Sequence, residues 1–225
     1  MKSKFAKKRK NFGGAIVIAT ISSVLLLYVY VNFAEPLISI RRYEPIEGDI
    51  VFQSSSESRL INMIKGTTNP QISHCGIVVK SRNKWKVLEA VGPVKETPLG
   101  EWVKHGQESR IAVYRLKEDY RRHIPSMIKS AYDYLGKPYD KRYRFDDEKI
   151  YCSELVFKAY LKAANDTLGI VRQVKELNWE PYRKSIEHYE GGTVPLERKL
   201  ITPIDLANAK QLSLIYSNGL VGSRK

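Results

Sequence analysis

Three features of the sequence predict an α+β chain, an antiparallel sheet packed on helices and preceded by one transmembrane helix. Strand-like runs with hairpin spacing dominate residues 45–116, two stretches within 124–163 repeat apolar residues at helical spacing, and residues 11–34 carry no charge. The 225 residues fit one ordinary domain plus an extra segment. A hydrophobic content of 43% with 14 Gly and 10 Pro is enough for a core and argues against a disordered or fibrous chain.

The apolar run comes first. About 20 residues at ~1.5 Å each span the roughly 30 Å hydrocarbon layer, and this run is longer than the core of a cleaved signal. Asn32-Phe33-Ala34 is a poor cleavage site, so the expectation is an uncleaved signal anchor over residues 13–34. Six cations (Lys2, Lys4, Lys7, Lys8, Arg9, Lys10) precede it, and Arg41 and Arg42 follow closely. The positive-inside bias then makes residues 1–12 a cytoplasmic tail and puts residues 41–225 outside, in a single-pass protein of the inner membrane. Of the formal charge of +14, +5 belongs to residues 1–40 and +9 to the rest.

The outer part begins with strands. Glu47–Gln53 alternates and is predicted to be the first, and Ser58–Gly66 has a short helical pattern closed by glycine. The runs SHCGIVVK and WKVLEAV flank Ser81-Arg82-Asn83-Lys84 as a hairpin would, and Arg110–Leu116 is a further strand. The period then changes. Ile124, Met127, Ile128, Ala131 and Leu135 give one apolar helix face, broken at Gly136-Lys137-Pro138. Cys152, Leu155, Val156, Ala159 and Ala163 give a second, which a cysteine opens. Residues 166–200 are charged and irregular. Thr202-Pro203-Ile204-Asp205 reads as N-cap, first-turn proline and acid, followed by a last strand at Gln211–Tyr216.

Cys152 is the residue to watch. A helix N-terminus beside an imidazolium holds a thiol as thiolate and leaves backbone N–H groups free for an oxyanion, although free cysteine is often only a small core residue. Of four histidines, His105, His123 and His188 read as surface residues, whereas His74 lies in an apolar strand and needs a polar partner if buried. If Arg82-Asn83 form a two-residue turn, Gly76 faces Glu89, and Glu89 lies diagonal to His74 on the same face. That supplies an orienting carboxylate, provided the turn has this length. Alternation directs Cys75 away from His74, toward the core rather than the reaction, and weighs against a Cys75–Cys152 disulfide. His74, Cys75 and Cys152 do not share a face and have no clear fourth ligand, so no metal site is expected. Two cysteines also exclude a disulfide scaffold, a four-Cys zinc site and an iron–sulfur cluster. Glu154 reads as an acid stabilising the helix start, and Tyr139 and Tyr151 as residues lining a cleft or simply packing.

The motifs GDIVFQ, SHCGIVV, VLEAVGPV, GKPYD, YCSELVFKAY and ITPIDLA, in that order over residues 45–216, resemble the YiiX-like family of circularly permuted papain-like cysteine hydrolases of the NlpC superfamily. The resemblance implies Cys152 as nucleophile, His74 as general base and Glu89 as third member, with no cofactor. The base precedes the nucleophile, as the permuted branch requires. The cysteine after His74 stands where the family usually has an apolar residue.

The expected activity is amide hydrolysis through a thioester, on cell-wall peptides outside the membrane. One alternative keeps the chemistry and takes lipid acyl or N-acyl amide substrates, for which an apolar groove is the discriminating observation. Another is a catalytically inert tethered binding module. Nucleic-acid binding is not expected, because no recognition motif accompanies the basic excess.

Overall fold

The computed structural model describes residues 21–28, 42–55 and 72–221. Six antiparallel strands form the main sheet: β1 (Ile50–Ser55), β2 (His74–Ser81), β3 (Lys84–Ala90), β4 (Val94–Pro98), β5 (Gly106–Leu116) and β8 (Leu212–Ser217), in the spatial order β4-β3-β2-β1-β5-β8. A two-residue turn joins β2 to β3, with Arg82 at φ 51° and Asn83 at φ 58°. This left-handed pair matches the twist of a tight hairpin and fixes the register expected from the sequence, Ser81 opposite Lys84 through Ile77 opposite Leu88.

Each face of the sheet has its own apolar layer. On one, Val51, Val78, Val87, Ile111 and Val113 pack against Trp102 and Val103 of the short helix α1 (Leu99–His105). On the other, Phe52, Cys75, Ile77, Leu88 and Ala112 meet the two main helices, α2 (Ile124–Tyr132) and α3 (Cys152–Ala164). Burial goes further around α3 than the predicted stripe: Ser153, Glu154, Phe157 and Tyr160 are buried along with Cys152, Leu155, Val156 and Ala159. Leu135 falls beyond the end of α2 and is 52% exposed, so it does not extend that helix face.

Residues 166–200 are ordered into the short ribbon β6 (Arg172–Gln173) and β7 (Lys199–Leu200) and the helix α4 (Arg183–Glu190). Val174, Trp179 and Ile186 form a small core of their own there. Helix α5 (Pro203–Ala207) starts as its sequence predicts: the Asp205 N–H donates to Thr202 Oγ1 at 3.2 Å, and the Thr202 N–H donates to Asp205 Oδ2 at 3.2 Å.

The predicted helix at Ser58–Gly66 lies outside the described residues, as does most of the expected anchor. Residues 21–28 are helical, with Ile21, Val24 and Leu25 through Tyr28 at least 60% exposed. Among the described residues no helix is long and apolar enough to cross a membrane.

Candidate active site

The site is built where β2 begins and α3 begins. His74 is the first residue of β2 and pairs with Gln53 of β1. It faces the α1 side of the sheet, where its ring lies 6.1 Å from that of Trp102. Glu89 of β3 has the same facing, and its Oε2 stands 2.6 Å from His74 Nε2. Gly76 makes this approach possible: a Cβ there would lie 2.4 Å from Val87 Cγ1 and 3.3 Å from Glu89 Cβ.

Glu89 is 2% exposed, so its charge needs donors on both oxygens. Thr97 of β4 donates to Oε1 at 2.6 Å, and the Trp102 indole donates to Oε2 at 2.8 Å. Burial alone would raise the Glu89 carboxyl, but the bond from His74, its positive charge and these two donors outweigh that and lower it. The sequence reading missed Thr97 and Trp102. The signal that could have found them is the demand of a buried carboxylate for further donors, together with a threonine and a tryptophan eight and thirteen positions on.

Cys152 is the first residue of α3 and 3% exposed. With His74 Nε2 committed to Glu89, the ring's other nitrogen is left for the sulfur, and each group shifts the titration of the other. Burial pulls the imidazolium down. The bonds to Cys152 and Glu89, with their negative charges, overcome it and push His74 up to about 10. The Cys152 thiol moves the other way, held well below its ordinary 9.0 by a bond from the Cys75 side chain and, against burial, by the His74 side chain and charge. Both shifts favour the thiolate–imidazolium form of the pair.

Cys75 is a fully buried core residue, as alternation predicts. Alternation does turn it away from His74, but toward the face that α3 covers, and there it meets Cys152. It is a core residue and a neighbour of the sulfur at once. Neither cysteine forms a disulfide.

Glu154 closes the first turn of α3 by accepting from the Tyr151 N–H at 3.3 Å, and its Oε1 is 2.8 Å from Lys158 Nζ. Burial is the larger influence and pushes it up to about 7. Tyr151 is fully buried: its hydroxyl accepts from the Ile201 N–H at 3.0 Å, and its ring meets that of Tyr143 edge-on at 4.9 Å. It props the nucleophile's helix and is absent from the cavity wall, contrary to the expectation that it lines a cleft. Tyr139 does line it. His105 and His188 are exposed, and His123 is half-buried against Tyr160.

Cys152 lines a small pocket of about 80 Å³. Its far wall comes from residues the sequence reading left without a role: Val174, Leu177, Trp179, Ile186, Pro195 and Leu200, with Ile201 and Pro203 beside them. Tyr139, Tyr143 and Ser73 line it as well. Arg198 also lines it, but a two-pronged pair with Glu190, 2.5 and 2.8 Å, engages its guanidinium.

A hairpin-borne imidazole and carboxylate, with a cysteine at the head of a later helix, is the papain arrangement in permuted order. The comparison with known families agrees: residues 44–216 match the model of the C92 peptidase family, permuted papain-like amidase enzymes of the YaeF/YiiX type. The chain belongs to that family and is at that level a cysteine hydrolase. It is 34% identical over 178 residues to the uncharacterized protein YiiX of Escherichia coli K12, covering 77% of this chain and 87% of that one. A solved structure titled metalloprotein yiiX, from Escherichia coli O157:H7, is also 34% identical, with a TM-score of 0.73 over 78% of this chain and 98% of the other.

Proposed function

We propose that this protein hydrolyses an amide through a thioester on Cys152, and that the acyl part of its substrate is an apolar chain. The apolar cavity at the sulfur carries this reading. Its wall offers aliphatic and aromatic surface to whatever is joined to the attacked carbonyl, at about 25 cal/mol per Å² buried.

The chemistry follows from the charges. The Cys152 thiolate attacks the carbonyl carbon, and backbone N–H groups of the first turn of α3 stabilise the developing oxyanion. The His74 imidazolium gives its proton to the leaving amine nitrogen, and the C–N bond breaks. Neutral His74 then takes a proton from water, whose oxygen attacks the thioester and releases the carboxylic acid and the thiolate. Glu89 holds the ring and stabilises its charged form throughout.

The solved relative's title describes a metalloprotein. Among the described residues of this chain, no group of three or more His, Cys, Asp or Glu is placed to hold a metal ion. The cell-wall reading is less well supported. The polar basin beside the cavity mixes Lys141, Arg142, Arg144 and Lys149 with Asp140, Asp146 and Glu148, a balance that does not favour a carboxylate-rich peptide. An N-terminal anchor, argued from residues 13–34, would keep the cavity near lipid-borne acyl groups.

The test is to incubate the full chain with N-acyl amino acids of graded chain length and, separately, with purified cell-wall fragments, followed by mass spectrometry with Cys152→Ala as control. Release of long-chain fatty acid and an acyl adduct on Cys152 are expected. Cleavage of the wall fragments alone would overturn the acyl assignment. A thiol probe that labels wild type no faster than Cys152→Ala would favour the inert module.

A further inference from the structure

Two residues, Tyr139 and Arg142, stand on the border between the apolar cavity at Cys152 and the polar basin beside it, and line both. The basin also holds Lys141, Arg144 and Lys149, with Asp140, Asp146 and Glu148 as its carboxylates. Two of these acids are already engaged by the loop that carries them. Asp140 is 4% exposed and accepts from the Arg142 N–H at 2.9 Å and from the Arg144 N–H. Asp146 accepts from the N–H groups of Glu148 at 3.0 Å and Lys149 at 3.2 Å. Among the described residues, no ion pair engages the side chain of any of the four cations.

Arg142 is held at the border by its backbone. Its N–H is tied to Asp140, and its carbonyl accepts from Arg198 Nη1 at 2.7 Å. The next residue, Tyr143, sits at φ 52°, a left-handed backbone that a tyrosine rarely adopts, and its ring meets that of Tyr151, the neighbour of the nucleophile, at 4.9 Å. Of the other charged groups on the cavity wall, Arg198 and Glu190 neutralise each other. A fixed backbone therefore carries an uncommitted guanidinium at the rim of the cavity that Cys152 lines.

We propose that Arg142 is a specificity residue that binds one anionic group, a carboxylate or a phosphate, on the nitrogen side of the substrate amide. It acts in the acyl-amide hydrolysis proposed above, on which this inference rests, and sets the chemistry of the leaving amine. An amide has two arms. With the apolar wall taking the acyl arm, the nitrogen arm runs toward the rim, where a guanidinium offers paired N–H donors to an oxyanion. The basin's four cations exceed its three carboxylates by one, which suits a single negative charge and not a run of them.

Calorimetry on the full chain carrying Cys152→Ala, which cannot form the thioester, compares N-acylglycine with N-acylglycinamide of the same chain length, and N-acyl phosphoethanolamine with N-acylethanolamine. The anionic member is expected to bind about tenfold more tightly than its neutral counterpart, and the pair with the larger ratio tells carboxylate from phosphate. Adding Arg142→Gln should bring the ratio close to one, and Arg142→Lys, which keeps the charge and loses the fork, should retain part of it. Should the glutamine variant fail to fold, Arg142→Met keeps the stem and removes the charge. Equal binding within both pairs, or a ratio that survives Arg142→Gln or Arg142→Met, overturns the proposal. Wild type that cleaves none of the four compounds, while Cys152→Ala keeps the Arg142-dependent ratio, would instead overturn the hydrolase reading and leave the anion site standing.

Discussion

Replacing Glu89 by glutamine removes one charge while leaving the shape of the site almost intact. The amide oxygen can accept from Trp102 and His74, and the amide nitrogen can face Thr97, whose hydroxyl turns from donor to acceptor. What goes is a charge-assisted bond 2.6 Å long between buried partners. Such bonds contribute about 1.5–3 kcal/mol, so the imidazolium should fall by about 1–2 pH units from its raised value of about 10. The same energy shifts the resting pair from thiolate–imidazolium toward thiol–imidazole by about 10- to 100-fold. The titration of His74, followed by NMR, should move down by those 1–2 pH units. Glu89→Ala should differ, because it strands the indole N–H of a fully buried Trp102 and breaks a buried ion pair, costing about 3–5 kcal/mol of stability. A glutamine variant whose His74 titration superimposes on wild type would refute the role given to the charge.

Gly76→Ala should cost about 1–3 kcal/mol by overpacking, since its Cβ would meet Val87 Cγ1 at 2.4 Å and Leu88 O at 3.0 Å; thermal unfolding checks the first effect and slower amide hydrolysis the displacement of Glu89. The stability contributed by the Cys152–His74 pair should be flat between pH 6.5 and 9.0 and fall on both sides. His74, raised from 6.5, contributes in full below that pH and loses its share as pH rises toward about 10, while Cys152, lowered from 9.0, contributes in full above 9.0 and loses its share as pH falls, so the slopes cancel between. Denaturant unfolding of wild type against Cys152→Ala from pH 5 to 10.5 reads the difference, with the raised Cys75 adding to the fall above 9.0. Trp179→Ala should enlarge the cavity and lengthen the preferred acyl chain, with kcat/KM for long chains reduced less than for short ones.

The hairpin and the two main helices were legible because each is specified locally. Arg82-Asn83 between alternating runs fixes a register, and that register places Glu89 on the face of His74. The cavity wall was not legible. Its Val174, Trp179 and Ile186 are scattered among charges in a segment with no period, and only packing against Cys152's surroundings gives them a common side. Strand β4 and helix α1 escaped for a similar reason: five and seven residues are too few to show a repeat, and Thr97 and Trp102 matter through a carboxylate elsewhere in the chain. Cys75 was assigned the correct face and the core placement that it has. Alternation says which side of a sheet a residue occupies, but not which helix end will arrive there.

The two halves of this site differ in how far the chain must travel to make them. Imidazole and carboxylate lie 15 residues apart and come together when one tight turn closes. The sulfur belongs to a helix 78 positions beyond the imidazole. A ribosome therefore releases the proton-handling half first, and the reactive sulfur emerges later to meet a completed cradle. Until that late docking, the sulfur lacks the imidazole that lowers its basicity.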